Sequence, residues 1–205
     1  MPSSSILPRS QISEGAERLA ELKNQNGDTV ANVFNAKCSE VETEVKLRGR
    51  GCWRVVAFQN NLVFIGGWES ECNHLPSRVD PMDPLTGRVL PLPDLIDARK
   101  RPVCVATENE IFVFTDFRLN APAVYSREVY ESASGSWSPL PLMIEKRKWY
   151  AIVNIPDSGI LVMGGVGRKG VALHSTELLT CWSGDGGIGR GGGEARSVNC
   201  VPSLQ

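Results

Sequence analysis

The stretch Ile-Leu-Val-Met-Gly-Gly, at residues 160–165, decides which fold this sequence predicts. Four apolar residues followed by a glycine pair are typical of a strand that is buried on both faces and ends in a sharp turn. The same pattern occurs as Leu-Val-Phe-Ile-Gly-Gly at 62–67 and, without the glycines, as Ile-Phe-Val-Phe-Thr-Asp at 111–116. The three copies begin at residues 62, 111 and 160, so both intervals are 49 residues. A period of this length indicates a repeat protein in which each unit is one small β-sheet.

The residues that follow the middle copy carry a family resemblance. They are Tyr130, then Trp137, then the stretch Leu-Pro-Leu-Met at 140–143, and finally Arg147. Together with the glycine pairs Gly66-Gly67 and Gly164-Gly165, this order resembles the kelch repeat. The resemblance extends over roughly residues 50–180. It implies an all-β fold, a partial kelch propeller of about two and a half to three four-stranded blades.

The repeat divides the chain into three parts. Blades are expected to begin near residues 52, 101 and 148 within a repeat region at 47–181, with hairpin turns at 60–61, 108–109 and 156–159. The first 46 residues are expected to be partly disordered, with a short helix at 14–24, further helical turns around 30–34, and a strand at 41–47 that alternates with period two. That strand either serves as an outer blade strand or pairs with the first blade. The glycine-rich stretch 182–205 is expected to be a flexible tail.

Composition narrows the class of protein. The chain of 205 residues is 41% hydrophobic and 22% charged with a net charge of −1, so we expect no general attraction to nucleic acid or to anionic lipid. The sequence has no apolar run long enough to span a membrane and no signal-peptide core. Its six cysteines are widely spaced, which favours reduced thiols and a cytoplasmic location.

Two motifs suggest a nucleotide-binding site or a metal site, and each also has a plainer interpretation. Gly165-x-Gly167-x-x-Gly170 follows a strand and matches the dinucleotide-binding pattern, with residues 171–179 as the following helix, so a nucleotide-dependent enzyme is one alternative function. The other is an enzyme of propeller type, since the kelch resemblance also includes copper oxidases with tyrosine and histidine ligands. The repeat already explains that strand, and we favour the blade interpretation. Cys72 and His74 suggest a metal site, but the chain has only two histidines and no ligand pair at metal-binding spacing. We therefore expect no metal, no cofactor and no enzymatic activity.

Clustered cations give the stronger functional signal. Basic residues occupy equivalent loops of successive blades, and radial repetition brings such loops onto one face. The candidate partner-binding residues are Arg99, Lys100, Arg101, Arg118, Arg147, Lys148, Trp149, Arg168 and Lys169. A plainer interpretation is that one arginine per blade bonds to neighbouring backbone. The additional cations favour binding of an acidic peptide segment, with Trp149 as an aromatic anchor.

The predicted function is therefore a protein–protein interaction module. The kelch resemblance implies a substrate-recognition adaptor, as in cullin-based ubiquitin ligases, or an actin-binding protein. Residues 1–46 are too few for the BTB domain that recruits such a ligase. Because a propeller needs about four to eight blades to close, we expect a longer parent chain or an oligomer.

Overall fold

The computed structural model describes residues 19–25, 28–47, 50–51, 53–69, 77–99, 101–114, 126–181 and 196–201. This part of the chain contains β-strands and no α-helix, and therefore no helix that could cross a membrane. The strands form small antiparallel sheets, four of which have three or four strands, and none of these described sheets is closed. The predicted all-β class is confirmed.

The first sheet replaces the predicted N-terminal helix. It consists of β1 (Ala20–Gln25), β2 (Asp28–Phe34) and β3 (Val41–Leu47), in that order across the sheet. The predicted helix at 14–24 is wrong for residues 20–24, and the predicted helical turns at 30–34 are wrong as well, because these residues form β1 and β2. Residues 14–18 lie outside the described residues. β2 is buried at five successive positions, so both of its faces are covered, and a one-sided helical stripe cannot account for that pattern. The predicted strand at 41–47 is present and pairs with β2.

Three further sheets follow the 49-residue repeat. Sheet 2 contains β5 (Arg54–Phe58), β6 (Asn61–Ile65) and β8 (Val79–Met82). Sheet 3 contains β9 (Val103–Ala106), β10 (Glu110–Phe114), β11 (Arg127–Glu131) and β12 (Ser136–Pro139). Sheet 4 contains β13 (Ala151–Ile155), β14 (Gly159–Met163), β15 (Thr176–Cys181) and β16 (Arg196–Val201). Two short strands, β4 (Arg50–Gly51) and β7 (Trp68–Glu69), pair with each other.

The three copies of the repeat have the same register. Each copy pairs its first residue with the third strand of its own sheet, as Leu62 with Met82, Ile111 with Tyr130, and Ile160 with Leu179. Residues that pair with the same position of the repeat therefore have equivalent places in sheets 2, 3 and 4.

Two local predictions need correction. The first hairpin turn lies at Gln59 and Asn60, whose φ angles are 47° and 63°, and Asn61 already belongs to β6. The predicted flexible tail is wrong for 196–201, because β16 pairs along the edge of β15 and occupies backbone groups there. The rest of the stretch 182–205 lies outside the described residues.

The hydrophobic core is divided among the spaces between consecutive sheets. Ala31 and Val33 of sheet 1 pack with Phe64 and Met82 of sheet 2. Between sheets 2 and 3, the buried Tyr130 packs with the partly buried Trp137 at a ring-centroid distance of 5.4 Å. The largest cluster lies between sheets 3 and 4 and consists of Phe112, Phe114, Val129, Leu140, Met143, Tyr150, Ile160, Val162 and Leu179. Each of these clusters thus lies between two sheets that are neighbours along the chain.

The glycine pairs lie where the chain passes close to other backbone. Gly66 has a φ of 64°, and a Cβ there would lie 2.6 Å from the Arg99 carbonyl oxygen. Gly165 has a φ of 92°, and its Cβ would lie 2.6 Å from the Lys148 carbonyl oxygen. Side chains are therefore excluded by backbone conformation and by space at both turns.

We expect Gly165→Ala to destabilise the fold by about 3 kcal/mol or more, because the methyl group adds a backbone clash to a left-handed conformation. The matched control is Gly170→Ala, which has a φ of 77° and no atom within 4 Å of the added Cβ. The control should cost only about 1–2 kcal/mol, the penalty of that conformation alone. Urea unfolding of both variants measures the difference, and equal losses would show that the close approach at Gly165 is unimportant.

Candidate partner-binding surface

The loops that lead into sheets 3 and 4 each carry a buried arginine. Arg99 precedes sheet 3 and is 3% exposed, and Arg147 precedes sheet 4 and is 1% exposed. Arg99 Nε donates to Glu128 Oε1 at 3.1 Å, and Arg147 Nη2 donates to Glu177 Oε1 at 2.7 Å. Both carboxylates are buried as well. Each arginine therefore forms a buried ion pair with the third strand of the sheet that its loop enters.

Further hydrogen bonds repeat around both pairs. The Glu128 carboxylate also accepts the Ile96 N–H at 2.7 Å, and the Glu177 carboxylate accepts the Ile144 N–H at 2.9 Å. Arg99 Nη1 donates to the Ser126 carbonyl oxygen at 2.6 Å. Arg147 makes the equivalent bond to Ser175, at 2.9 Å, and a second bond to the carbonyl oxygen of Gly164, at 2.8 Å. The same network thus joins the loop to the sheet in two successive repeats.

The prediction that Arg99 and Arg147 bind a partner is wrong, because neither side chain reaches the surface. The plainer interpretation, one structural arginine per repeat, holds for both. Sequence reasoning missed the acidic half of each network. Glu128 and Glu177 are 49 residues apart, and Asp80 has the equivalent position in sheet 2, so the spacing itself could have revealed them.

Trp149 is the exposed aromatic residue that the sequence placed beside the cations. It is 71% exposed, although both Arg147 and Tyr150, two of its near neighbours in sequence, are buried. Its φ of 55° is a left-handed conformation, which is costly for a residue with a large side chain. Lys148 Nζ lies 4.3 Å from the centroid of the indole ring, a cation–π distance.

Backbone pairing brings the second cationic loop next to Trp149. Lys148 and Val166 exchange both backbone hydrogen bonds, at 3.0 Å and 2.8 Å. Arg168 and Lys169 follow Val166 after one residue, Gly167, and are exposed. We use the name Trp149 surface for Lys148, Trp149, Arg168 and Lys169. Arg101 is exposed two residues before β9, which contacts β13. Lys100 and Arg118 lie outside the described residues.

The glycine-rich loop does not have the geometry of a nucleotide site. The Gly170 N–H donates to the Gly167 carbonyl oxygen at 3.1 Å, which closes a tight turn. The chain then continues to β15 of an antiparallel sheet, whereas the dinucleotide fingerprint needs a helix directly after the loop. The helix that the nucleotide-binding alternative requires at 171–179 is absent, and residues 176–181 form β15. Cys72 and His74 lie outside the described residues, and the described part of the chain has no group of three His, Cys, Asp or Glu side chains that could hold a metal.

The other end of the strands is acidic. An open cleft of about 860 Å³ lies between the hairpin turns of sheets 3 and 4. Its lining includes Glu108, Glu110, Glu131 and Asp157. Since β13 begins near Trp149 and ends near Asp157, basic and acidic groups are separated along its length. An acidic partner is therefore favoured at the Trp149 end.

We expect Arg147→Ala to lower the free energy of unfolding by about 3–5 kcal/mol, because Glu177 would stay buried without its cation. Arg168→Ala is the control, and as an exposed residue it should change stability by less than about 0.5 kcal/mol. Urea denaturation followed by circular dichroism measures both. An Arg147→Ala protein as stable as the parent would contradict a structural role for this arginine.

Comparison with known proteins adds evidence on the fold. No family model and no curated protein matches the chain. Among solved structures, the chain is similar to the structure of YjhT, with a TM-score of 0.61 and 12% sequence identity over 91% of this chain. The chain spans 65% of the length of that structure. A similarity at this level of identity shows a shared fold, and it says nothing of a shared activity.

Proposed function

We propose that the four sheets are blades of an incomplete kelch-type propeller and that the chain is a protein-binding module. Support for the propeller comes from the common register of three repeats and from the paired Arg and Glu networks. Sheet 1 would be a further blade, because it packs face to face on sheet 2. The ring would be completed by a longer parent chain or by a second subunit.

The observation that carries the binding function is the exposure of Trp149. A tryptophan that is 71% exposed, held in a left-handed backbone conformation and placed against Lys148 is a costly arrangement for a surface loop. Strain of this kind persists where the surrounding structure holds it, and it concentrates at functional sites. Tryptophan and arginine are also the residues that contribute most to protein interfaces.

The charge of the Trp149 surface favours an acidic partner segment. Lys148, Arg168 and Lys169 lie on adjacent segments, and cations at the edge of an interface accelerate association with an oppositely charged partner. The kelch resemblance implies an adaptor role of this type, in substrate recognition for a cullin-based ligase or in actin binding. The enzyme alternative has no support from the loop at 165–170.

The test uses a fluorescein-labelled peptide of about ten residues in which Glu and Leu alternate, with binding followed by anisotropy at two salt concentrations. We expect the peptide to bind and the binding to weaken as salt rises, because exposed charges are screened. Trp149→Ala should raise Kd by about 30-fold, the loss typical of an interface hot spot. Arg168→Glu combined with Lys169→Glu should reduce the salt dependence as well as the affinity.

Two controls make the result specific. Leu85→Ala removes an apolar side chain that is 61% exposed beside β3, away from the Trp149 surface, and should leave Kd unchanged. A peptide with Lys in place of Glu should not bind. If Trp149→Ala binds the acidic peptide as tightly as the parent protein does, the proposed binding surface is wrong.

A further inference from the structure

Sheet 4 packs on sheet 3 with one of its two faces. Ile160 and Val162 of β14 belong to the core cluster between these two sheets. Side chains alternate along a strand, so Leu161 and Met163 lie on the opposite face of β14. Met163 is 36% exposed, and Leu161 is half-buried. Within the described part of the chain, neither of these two residues belongs to a core cluster.

This second face of sheet 4 is apolar across three strands. Leu161 pairs with Val153 of β13 and with Leu178 of β15, and residues that pair directly lie on the same face of an antiparallel sheet. Val153 is 37% exposed. We use the name sheet 4 outer face for Val153, Leu161, Met163 and Leu178. The other residues that β13, β14 and β15 place on this side are also uncharged, namely Ala151, Ile155, Gly159, Thr176 and Thr180.

The equivalent face of sheet 3 is the one that sheet 4 covers. Its residues Phe112, Phe114 and Val129 lie 49 positions before three residues of the sheet 4 outer face, in the same register. All three are at most 1% exposed, because they belong to the core cluster between sheets 3 and 4. The sheet 4 outer face therefore consists of repeat positions that pack against another sheet when one is present.

Sheet 1, at the other end of the series of sheets, is not suited to cover the sheet 4 outer face of a second copy. Ala31 and Val33 of β2 face sheet 2, so the residues that pair with the alternate positions of β2 lie on the far side. These residues are charged, namely Glu21, Lys23, Glu44 and Lys46. A contact between sheet 1 of one copy and sheet 4 of the next would bury these charges against apolar groups, which is destabilising.

The 205 residues also have no stretch to spare for a further sheet at this position. The longest stretch outside the described ranges is 1–18, whereas sheet 3 extends over residues 103–139. Among the described sheet surfaces, the one that is apolar, uncharged and equal in size to the sheet 4 outer face is the same face of a second copy.

We propose that the sheet 4 outer face binds a second copy of this chain, sheet 4 against sheet 4, about a two-fold axis. A contact of this kind uses the same surface on both subunits and closes at a dimer, whereas a head-to-tail contact would continue into longer assemblies. The two sheets would pack face to face at a separation of about 10 Å, with the apolar side chains between them. The contact depends on the packing of the described sheets, so it can be correct whether or not the Trp149 surface binds a peptide.

The experiment measures the mass of the full chain by sedimentation equilibrium over a range of protein concentrations. We expect twice the 22.4 kDa of one chain, and a Tm that rises with protein concentration because dimer formation stabilises the folded state. Val153→Glu combined with Met163→Glu brings two carboxylates of each copy into the contact and should raise the Kd of the dimer at least about 100-fold. The control is Val41→Glu on sheet 1, which changes a residue that is 46% exposed and should leave this Kd unchanged.

A pair of variants with opposite charges tests the two-fold arrangement itself. Val153→Lys combined with Met163→Lys should also give monomers, and mixing it with the Glu double variant should restore the mass of two chains, because opposite charges then face each other. If a double variant does not fold, as judged by circular dichroism, the single variants Met163→Glu and Met163→Lys are compared in the same way.

Three results would overturn the proposal. The first is a parent protein that is monomeric at about 1 mM, a concentration that populates a dimer with a Kd in the millimolar range. The second is a Glu variant that dimerises as tightly as the parent protein. The third is a mixture of Glu and Lys variants that stays monomeric.

Discussion

The ion pairs of Arg99 with Glu128 and of Arg147 with Glu177 determine how successive sheets are joined. Each pair lies in the interior and links a connecting loop to the third strand of the next sheet. A buried carboxylate that loses its cation is strongly destabilising, so the loop has one acceptable position relative to the sheet. The glycine turn then fits against this fixed loop, as when Gly67 donates its N–H to the Arg99 carbonyl oxygen at 3.0 Å. The same ion pair occurs before sheet 3 and before sheet 4, so both sheets are fixed to their preceding loops in the same way.

The loop before sheet 4 contains both a buried structural residue and an exposed residue that is available for binding. Arg147 points into the protein and is held by Glu177, while Trp149, two residues later, points outward. The chain bends at Trp149, which has a left-handed conformation and lies between the buried Arg147 and the buried Tyr150. An anchored loop can present an exposed aromatic side chain in one orientation, and such preorganisation reduces the entropy lost on binding.

The sequence predicted the repeated strands because their signal is local and periodic. Apolar runs that end in glycine identified β6 and β14, and the interval of 49 residues identified β10 without its glycines. β1 and β2 were missed because residues 14–24 were interpreted as a helix, although the pair Asn26-Gly27 that follows them is a strong hairpin signal when strands flank it. β16 was missed because its pairing depends on the free edge of β15, which is a tertiary property. A structural role for Arg147 was only the plainer interpretation, since charge in sequence suggests the surface and it is Glu177 that holds this side chain inside the protein.

The order of strands has a consequence for how the chain folds. Sheets 2 and 3 each form within one continuous segment, and all four strands of sheet 3 fall within residues 103–139. Closing such short loops costs little conformational entropy, so each sheet can form before its neighbours are in place. The cores, however, lie between sheets, and a sheet alone leaves its apolar faces in water. Folding is therefore expected to spread from one formed sheet to the next along the chain, with stability set by nearest-neighbour interfaces, as in a one-dimensional array.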